Sequence, residues 1–323
     1  MPRPTSATTL QRADLGALAY EYMMSAPDRG FIGLQILPVF DVTEQSADYP
    51  IIPIEALLKI QDTKRSPRSN YNRGDYEFET GTYSCEEHGW EEPVDDVERR
   101  LYRRYFDAEE VATQRATDIL LRNHEMRVAA IVQGTAAVTG GTAAVSIEWN
   151  TAATCTPKAD VSAAKRALKA ATGITANALV ISEKVFNNLM LSTEIKTYLQ
   201  YTTPHLLTSR EQQRAMLANY LDLENILIGG SQYDSAKKGQ TYTLADIWDD
   251  EYATLARISS GGNNLREPVL GRTMLWTADS PEIIVTEQYR EEAIRSDIYR
   301  VRQYVDEAII FAGAGWVLSN ITT

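Results

Sequence analysis

"RSDIYRVRQYVDEAIIFAGAGWVLSNIT", Arg295 to Thr322, closes the chain, and its reading decides the fold. In its first half Tyr299, Val301 and Val305 share one parity, and Arg300, Arg302 and Asp306 share the other. This period of two predicts a strand with one face in a core and a charged face open to solvent or a neighbouring subunit. In its second half Ile310, Ala312, Ala314, Trp316 and Leu318 fall on one parity and predict a second strand. Gly313 and Gly315 there permit a bulge or a close backbone approach. Chain ends usually fray; an ending this apolar is expected to complete a sheet of its own subunit. Gly313-Ala314-Gly315 is not a dinucleotide loop, because it lacks a third glycine, a following helix and room for a βαβ unit.

Upstream, "VLGRTMLWT" and "EIIVTEQY" read as further strands. Residues 158–258 read as mixed α/β. There "ADVSAAKRALKAATG" is a helix capped by Asp160 and stopped by Gly173, and "NALVIS" is a buried strand. "EKVFNNLML" is a helix capped by Ser182, and "TSREQQRAMLANYLDLE" a helix with Thr208 and Glu211 as capping box. "NILIGG" and "ATLARIS" are strands. The clearest element is "DAEEVATQRATDILLRNHEMRVAAIVQ", 107–133, where Ala108, Ala112, Ala116, Ile119, Met126 and Ala130 recur at helical spacing. Asp107 and Glu110 form its candidate capping box, and Gly134 stops it. Such a helix spans about 40 Å. The repeated GTAAV of 134–138 and 141–145 reads as a loop or small hairpin.

Residues 1–58 read as an arm. It holds a short helix, "ADLGALAYEYMM", a strand-like "FIGLQILPVFDV" interrupted by Pro38, and an extended "YPIIPIEALLKI". Residues 59–93 are poor in aliphatics; "DYEFETGTYSC" alternates and Gly81 marks a turn region. The expectation is a long two-stranded excursion that needs a foreign surface, since an isolated hairpin is marginally stable.

At 323 residues, 44% hydrophobic and 24% charged, the chain has an ordinary globular balance. Its net charge of −12 argues against a dedicated nucleic-acid binder. Two cysteines, Cys85 and Cys155, make no disulfide framework. No apolar run approaches the roughly 18–20 residues of a membrane span, and "MPRPTSATTL" has no signal core, so a cytosol-like compartment and no membrane partner are expected.

Catalytic and metal motifs fail one by one. Cys85 and His88 have no second pair at zinc-site spacing. His124-Glu125 opens an HExxH pattern that Val128 breaks, leaving His124 as a helix-surface residue. Ser162 with Lys165 and Ser235 with Lys238 match Ser-x-x-Lys without companion motifs, and Gly229-Gly230 ahead of Lys237 misses the phosphate-loop spacing. "CEEHGWEEPVDDVERR" reads as a solvated acidic face balanced by Arg99, Arg100, Arg103 and Arg104. No catalytic, metal or cofactor-binding residue is assigned, and no cofactor is expected.

The order of parts says more than any motif: arm, long hairpin, long helix, inserted α/β block, terminal strands. It resembles the major capsid proteins of tailed bacteriophages, the Hong Kong 97 fold. Residues 59–93 resemble the extended loop, and "DDVERRLYRRYFDAEEVATQRATDILLRNHEMRVAAIV" resembles an entry strand and spine helix. "KAATGITANALVISEKVFNNLM" resembles the axial domain, and "EIIVTEQYREEAIRSDIYRVRQYVDEAIIFAGAGWVL" the closing strands. The resemblance implies an α+β fold: N-terminal arm 1–58, extended loop 59–93, peripheral domain with spine helix and antiparallel sheet 94–157, inserted mixed α/β axial domain 158–275, and closing strands 276–323.

The function it implies is that of a shell subunit and not an enzyme. Copies would self-assemble as pentamers and hexamers into an icosahedral head, in the host cytoplasm, and reside in the virion. Double-stranded DNA would be a partner by enclosure and not by specific binding; a portal and a decoration protein complete the implied partners. Fold-like sequence begins within the first few tens of residues, so a fused scaffolding segment is not expected and any scaffold would be a separate protein. Lys59 and Lys64 flank the loop base without any mark of reactivity, so no covalent crosslink is expected. Candidate inter-subunit contacts are Arg65, Arg68, Tyr71, Arg73, Tyr76 and Phe78 in the loop, with Arg300 and Arg302 on the closing strand; Arg and Tyr are favoured at interfaces. Two other readings stay open: an encapsulin-like compartment shell of related fold, and a soluble α/β enzyme whose site residues converge from distant positions.

Overall fold

The closing stretch forms strands in two different sheets. The computed structural model describes residues 10–51, 53, 58–74, 78–202, 209–259, 265 and 267–322. In chain order the strands are β1 (Leu10–Gln11), β2 (Val39–Val42), β3 (Ser46–Ile51), β4 (Glu79–Ser84), β5 (Glu86–Asp95), β6 (Thr142–Ala144), β7 (Ala178–Ser182), β8 (Asn225–Gly229), β9 (Gln232–Asp234), β10 (Leu244–Asp246), β11 (Ala253–Ala256), β12 (Gly271–Trp276), β13 (Val285–Glu291), β14 (Ser296–Ile309) and β15 (Gly315–Ser319). The helices are α1 (Ala13–Met24), α2 (Gly33–Ile36), α3 (Asp96–Tyr102), α4 (Ala108–Val132), α5 (Pro157–Thr172), α6 (Glu183–Leu191), α7 (Thr193–Thr202) and α8 (Arg210–Leu221).

A six-stranded sheet runs β1-β13-β14-β12-β2, with β5 on the free side of β14. It is antiparallel except where β12 meets β2. A five-stranded mixed sheet runs β6-β15-β11-β7-β8. β14 follows the expected parity: Tyr299, Val301 and Val305 are buried, while Arg300, Arg302 and Asp306 are half-buried. The single parity expected for Ile310–Leu318 does not hold. A 3-10 turn at Ala312–Ala314 resets it where the chain crosses from one sheet to the other. Both faces of β15 are then buried. Leu318 packs with Leu179, Ile181 and the helical layer, and Val317 packs with Val128 and Val132 of α4. The second GTAAV becomes β6, parallel to β15, and not a hairpin. The close approach lies at Gly140, where a Cβ would sit 2.0 Å from the Gly315 carbonyl oxygen.

At 25 residues, α4 is about 37 Å long. Asp107 caps it by accepting from Glu109 N at 3.0 Å. Its buried stripe differs from the expected one beyond Ala116. Leu120, Leu121, His124, Glu125, Val128 and Val132 are buried, and Met126 is 40% exposed. His124, expected on the surface, is 3% exposed. The helix is covered on two sides, so His124 and Glu125 are enclosed and bond to partners from distant parts of the chain.

Smaller differences have local causes. Pro157 opens α5 after Thr156, and Asp160 instead accepts from Trp149 Nε1 at 3.0 Å. α8 is capped by Ser209, whose hydroxyl accepts from Gln212 N at 3.2 Å; Thr208 lies outside the described residues. Pro38 separates α2 from β2, so "FIGLQILPVFDV" is a helical turn and then a strand. The entry strand ends at Asp95, which caps α3 through Val97 N at 2.7 Å, so "DVERRLY" is helical.

Two buried carboxylates join these parts. Glu125 on α4 accepts from Ile32 N at 2.9 Å, Gly33 N at 2.7 Å and Trp248 Nε1 at 2.6 Å. Burial pushes its carboxyl up, and the three donors oppose that shift. Glu307 on β14 faces His124 Nδ1 at 2.7 Å and Arg127 at 2.7 and 2.9 Å. Burial pushes Glu307 up as well, but His124 and Arg127 outweigh it and hold the carboxyl down at about 2.

A depressed carboxylate gives stability that is present above its ordinary range, near 4.5, and is lost as pH falls toward about 2. The size is on the order of 3 kcal/mol. Glu125 acts with the opposite sign, so a variant is needed to isolate Glu307. Glu307→Gln is expected to lower the urea midpoint at pH 7 and to flatten its decline between pH 5 and pH 2.5; an unchanged acid limb would remove this assignment. Deleting Ala308–Thr323 takes β15 from between β11 and β6, and the truncated chain is expected in the insoluble fraction. Soluble truncated chain with a cooperative melt would contradict that role for the tail.

Candidate inter-subunit surface

The expected excursion exists with different strands. β3 pairs with β4, from Ser46 opposite Ser84 to Ile51 opposite Glu79. One limb is therefore rooted in the stretch read as the arm, and 86–95 belongs to the six-stranded sheet. The root is fixed by packing: Tyr49, Tyr83 and Cys85 are buried with Val42, Met274, Ala308 and Ile310. Tyr49 donates its hydroxyl to the Ile309 carbonyl at 3.2 Å. Gly81 sits mid-strand and not at a turn, since a Cβ there would meet the Tyr49 ring at 2.5 Å.

Beyond the root, residues 58–74 are exposed without exception. Ile60 is 97% and Tyr71 73% exposed. Arg65, Arg68, Tyr71, Arg73 and Phe78 all lie on this segment or its edge; Tyr76 lies outside the described residues. The loop has internal order. The Arg65 guanidinium lies 4.7 Å from the Tyr71 ring centroid and donates from Nε to the Ser69 carbonyl at 2.7 Å. Arg68 takes a left-handed φ of 69° beside the Ser66–Ser69 turn. Asn72 Nδ2 donates to the Asp62 carbonyl at 2.8 Å. The arrangement presents cations and aromatic rings that bury nothing in their own subunit.

Arg300 and Arg302 sit elsewhere and in another state. Arg300 pairs with Glu91 at 2.7 Å and Glu287 at 3.3 Å. Arg302 pairs with Glu287 at 3.0 Å and with Asp279. Next along the face, Arg290 binds Asp96 at 2.8 Å, and Tyr304 donates to Glu87 at 3.1 Å. These charges are matched across strands of one chain, so the face is laced internally and is not joined to the loop.

Sequence reasoning missed a second hairpin. β9 and β10 pair around a turn with Lys237, Lys238 and Gly239, whose φ is 88°, and they expose Tyr242 and Leu244. The signal was the polar, glycine-marked "SQYDSAKKGQTYTLAD" after a buried strand. It also missed the exposed apolar side chains Val97, Leu101, Tyr105 and Phe106 around α3.

Among the described residues no group of three or more His, Cys, Asp or Glu is placed to hold a metal ion, and no helix is long and apolar enough to cross a membrane. The functional geometry is instead a rooted, projecting loop beside a long helix laid over a sheet, with a second domain closed by the chain's last strand. This is the Hong Kong 97 fold of phage shell proteins. No protein-family profile matches the chain. Its sequence is 26% identical over 302 residues to the major capsid protein of Burkholderia phage BcepMu, covering 90% of this chain and 91% of that protein. Its structure is similar to a phage-related protein of Bordetella bronchiseptica, with TM-score 0.71 and 21% identity over 97% of this chain and 98% of that one. It is also similar to the capsid of cyanophage P-SCSP1u, with TM-score 0.57 and 13% identity over 88% and 86% of the two chains. The chain shares the fold of these phage capsid proteins and is similar in sequence to one of them.

Because residues 58–74 pack on no core of their own, replacing 59–74 by a short Gly-Ser linker is expected to leave the melting temperature of dissociated subunits within a few degrees of wild type while abolishing higher assembly. Circular dichroism melts and sedimentation velocity read the two effects separately. A large loss of subunit stability would show that the loop supports its own fold.

Proposed function

We propose that this chain is the major capsid protein of a tailed phage, whose copies assemble as pentamers and hexamers into an icosahedral head around double-stranded DNA. The observation that carries the reading is the end-to-end match to a phage major capsid protein, over nine-tenths of both chains. The exposed, cation- and aromatic-rich loop supports it, since each contact in a shell must offset the lost freedom of association with buried area. In this reading the protein works in the virion as a structural component and not as an enzyme. A separate scaffolding protein and a portal act during assembly in the host cytoplasm, and a decoration protein is a further partner. DNA is held by enclosure, in keeping with the net charge of −12.

Cryo-electron microscopy of the purified protein is expected to show closed shells or capsomer rings of uniform size. A monomer under all assembly conditions, saturable by a small ligand, would overturn the proposal in favour of an enzyme. Shells that retain a cellular protein cargo and no DNA when isolated from their natural source would replace it by a compartment.

A further inference from the structure

The β9–β10 hairpin closes one side of a cleft of about 530 Å³. That volume lies within the roughly 300–1,000 Å³ of ligand sites, which favour domain boundaries. The end of α1 and the segment after it supply one wall, with Tyr22 and Arg29; α4 supplies Asp118 and Arg122. The hairpin and its approach supply Ser231, Tyr242 and Leu244. At Gly230 the N-terminal segment and the five-stranded domain touch: Gly230 N donates to the Gly30 carbonyl at 3.1 Å, and a Cβ on Gly30 would lie 2.7 Å from the Gly230 backbone. The walls are also tied by side chains. Arg29 lies 3.8 Å over the Tyr22 ring and donates to the Tyr22 carbonyl at 2.9 Å, and Arg122 Nε donates to the Gln232 carbonyl at 3.0 Å. The cleft is therefore formed before anything enters it.

Three observations point to an occupant. Two guanidiniums share one carboxylate, Asp118, with Arg29 at 2.8 Å and Arg122 at 2.6 Å. The other carboxylate of the cleft, Asp234, is engaged by Ala236 N and Thr243 N at 3.0 Å each, in a turn that carries Lys237 and Lys238. The balance is positive in a chain of net charge −12. Second, donors stand unused. Ser231 is 3% exposed, and among the described residues its hydroxyl and the buried Arg29 Nε have no hydrogen-bond partner. Such groups are costly to bury unpaired. Arg122 spends Nε and one terminal nitrogen on the protein and keeps the other. Third, the rim is apolar and open: Tyr242 is 64% and Leu244 51% exposed.

We propose that this cleft binds a short segment of a separate polypeptide in which an aromatic residue adjoins a carboxylate, the ring against Tyr242 and Leu244 and the carboxylate on Arg122 and Ser231. Aromatic rings pack on one another at such rims, and arginine takes a carboxylate in a charge-assisted hydrogen bond. A standard subunit interface buries about 800 Å² on each partner; a cleft of this size holds a few residues of chain, which fits a short segment and not a broad subunit face.

The probe is a fluorescein-labelled heptapeptide with two phenylalanines and two aspartates between glycines; its control carries asparagine at both aspartates. Anisotropy with the full-length protein is expected to show saturable binding of the first and about tenfold weaker binding of the control. Arg122→Gln and Tyr242→Ala are each expected to lower affinity about tenfold, and rising NaCl to weaken binding. Melts report whether each variant is folded. The Tyr242 side chain is exposed, so its truncation keeps the test open if Arg122→Gln misfolds. Absence of saturable binding up to millimolar protein, equal affinity for the control, or folded variants that bind as wild type does would each overturn the proposal. N-acetylphenylalanine that binds as tightly as the peptide overturns it in favour of a free aromatic acid. A wild-type protein that ignores the peptide but loses self-association on Tyr242→Ala overturns it in favour of a second copy. The site does not rest on the shell reading. Peptide binding without shells removes that reading and keeps the site, and shells without peptide binding do the reverse.

Discussion

The carboxylate of Glu125 is the point on which the described parts converge. Its oxygens collect N–H groups from Ile32 and Gly33 of the N-terminal segment and from Trp248 of the five-stranded domain, while its backbone belongs to the spine helix α4. A buried carboxylate without partners is strongly unfavourable, and so are buried N–H groups without acceptors. Each side therefore requires the other, and three segments far apart in sequence are held at one place. Gly33 is part of that constraint, because a Cβ there would lie 2.7 Å from Glu125 Oε2. A methyl group at this position would crowd Oε2, the oxygen that accepts from Gly33 N.

The second joint is the chain's own ending. β14 is the long strand of one sheet and β15 lies inside the other, with a single 3-10 turn between them. Glu307, near the end of β14, binds His124 and Arg127, the residues one before and two after Glu125. The two carboxylate clasps thus meet on the same stretch of α4. One holds the N-terminal segment and the five-stranded domain, and the other holds the six-stranded sheet. Rotating one domain against the other would break charge-assisted bonds in a dry interior, where they are stronger than at the surface.

What the sequence made legible followed period and burial. The "ADLGALAYEYMM" helix, the fully buried strand at 178–182 and the alternation of β14 emerged as read, because each is fixed by its own residues. The spine helix was legible in extent but not in face. The sequence reading places His124 on the helix surface and gives Glu125 no role, whereas their partners lie 183 and more than 90 positions away. The loop was legible as an excursion but not in its root, since the pairing of β3 with β4 depends on Tyr49 and Tyr83 reaching a core that includes Met274 and Ile310. The arginines of β14 were legible as one face, but their carboxylate partners on β5, β13 and the turn before β13 depend on strand order, which local pattern does not encode.

The division between rooted and free parts of the loop bears on how the chain folds. Its tyrosines at the root are buried, and its cations and rings beyond the root touch only one another. Folding free energy is therefore concentrated in the clasps and cores, and the loop contributes little to it. A chain built this way reaches its native state on its own clasps and cores, and an exposed loop rooted by buried tyrosines tolerates change beyond the root without unfolding the rest.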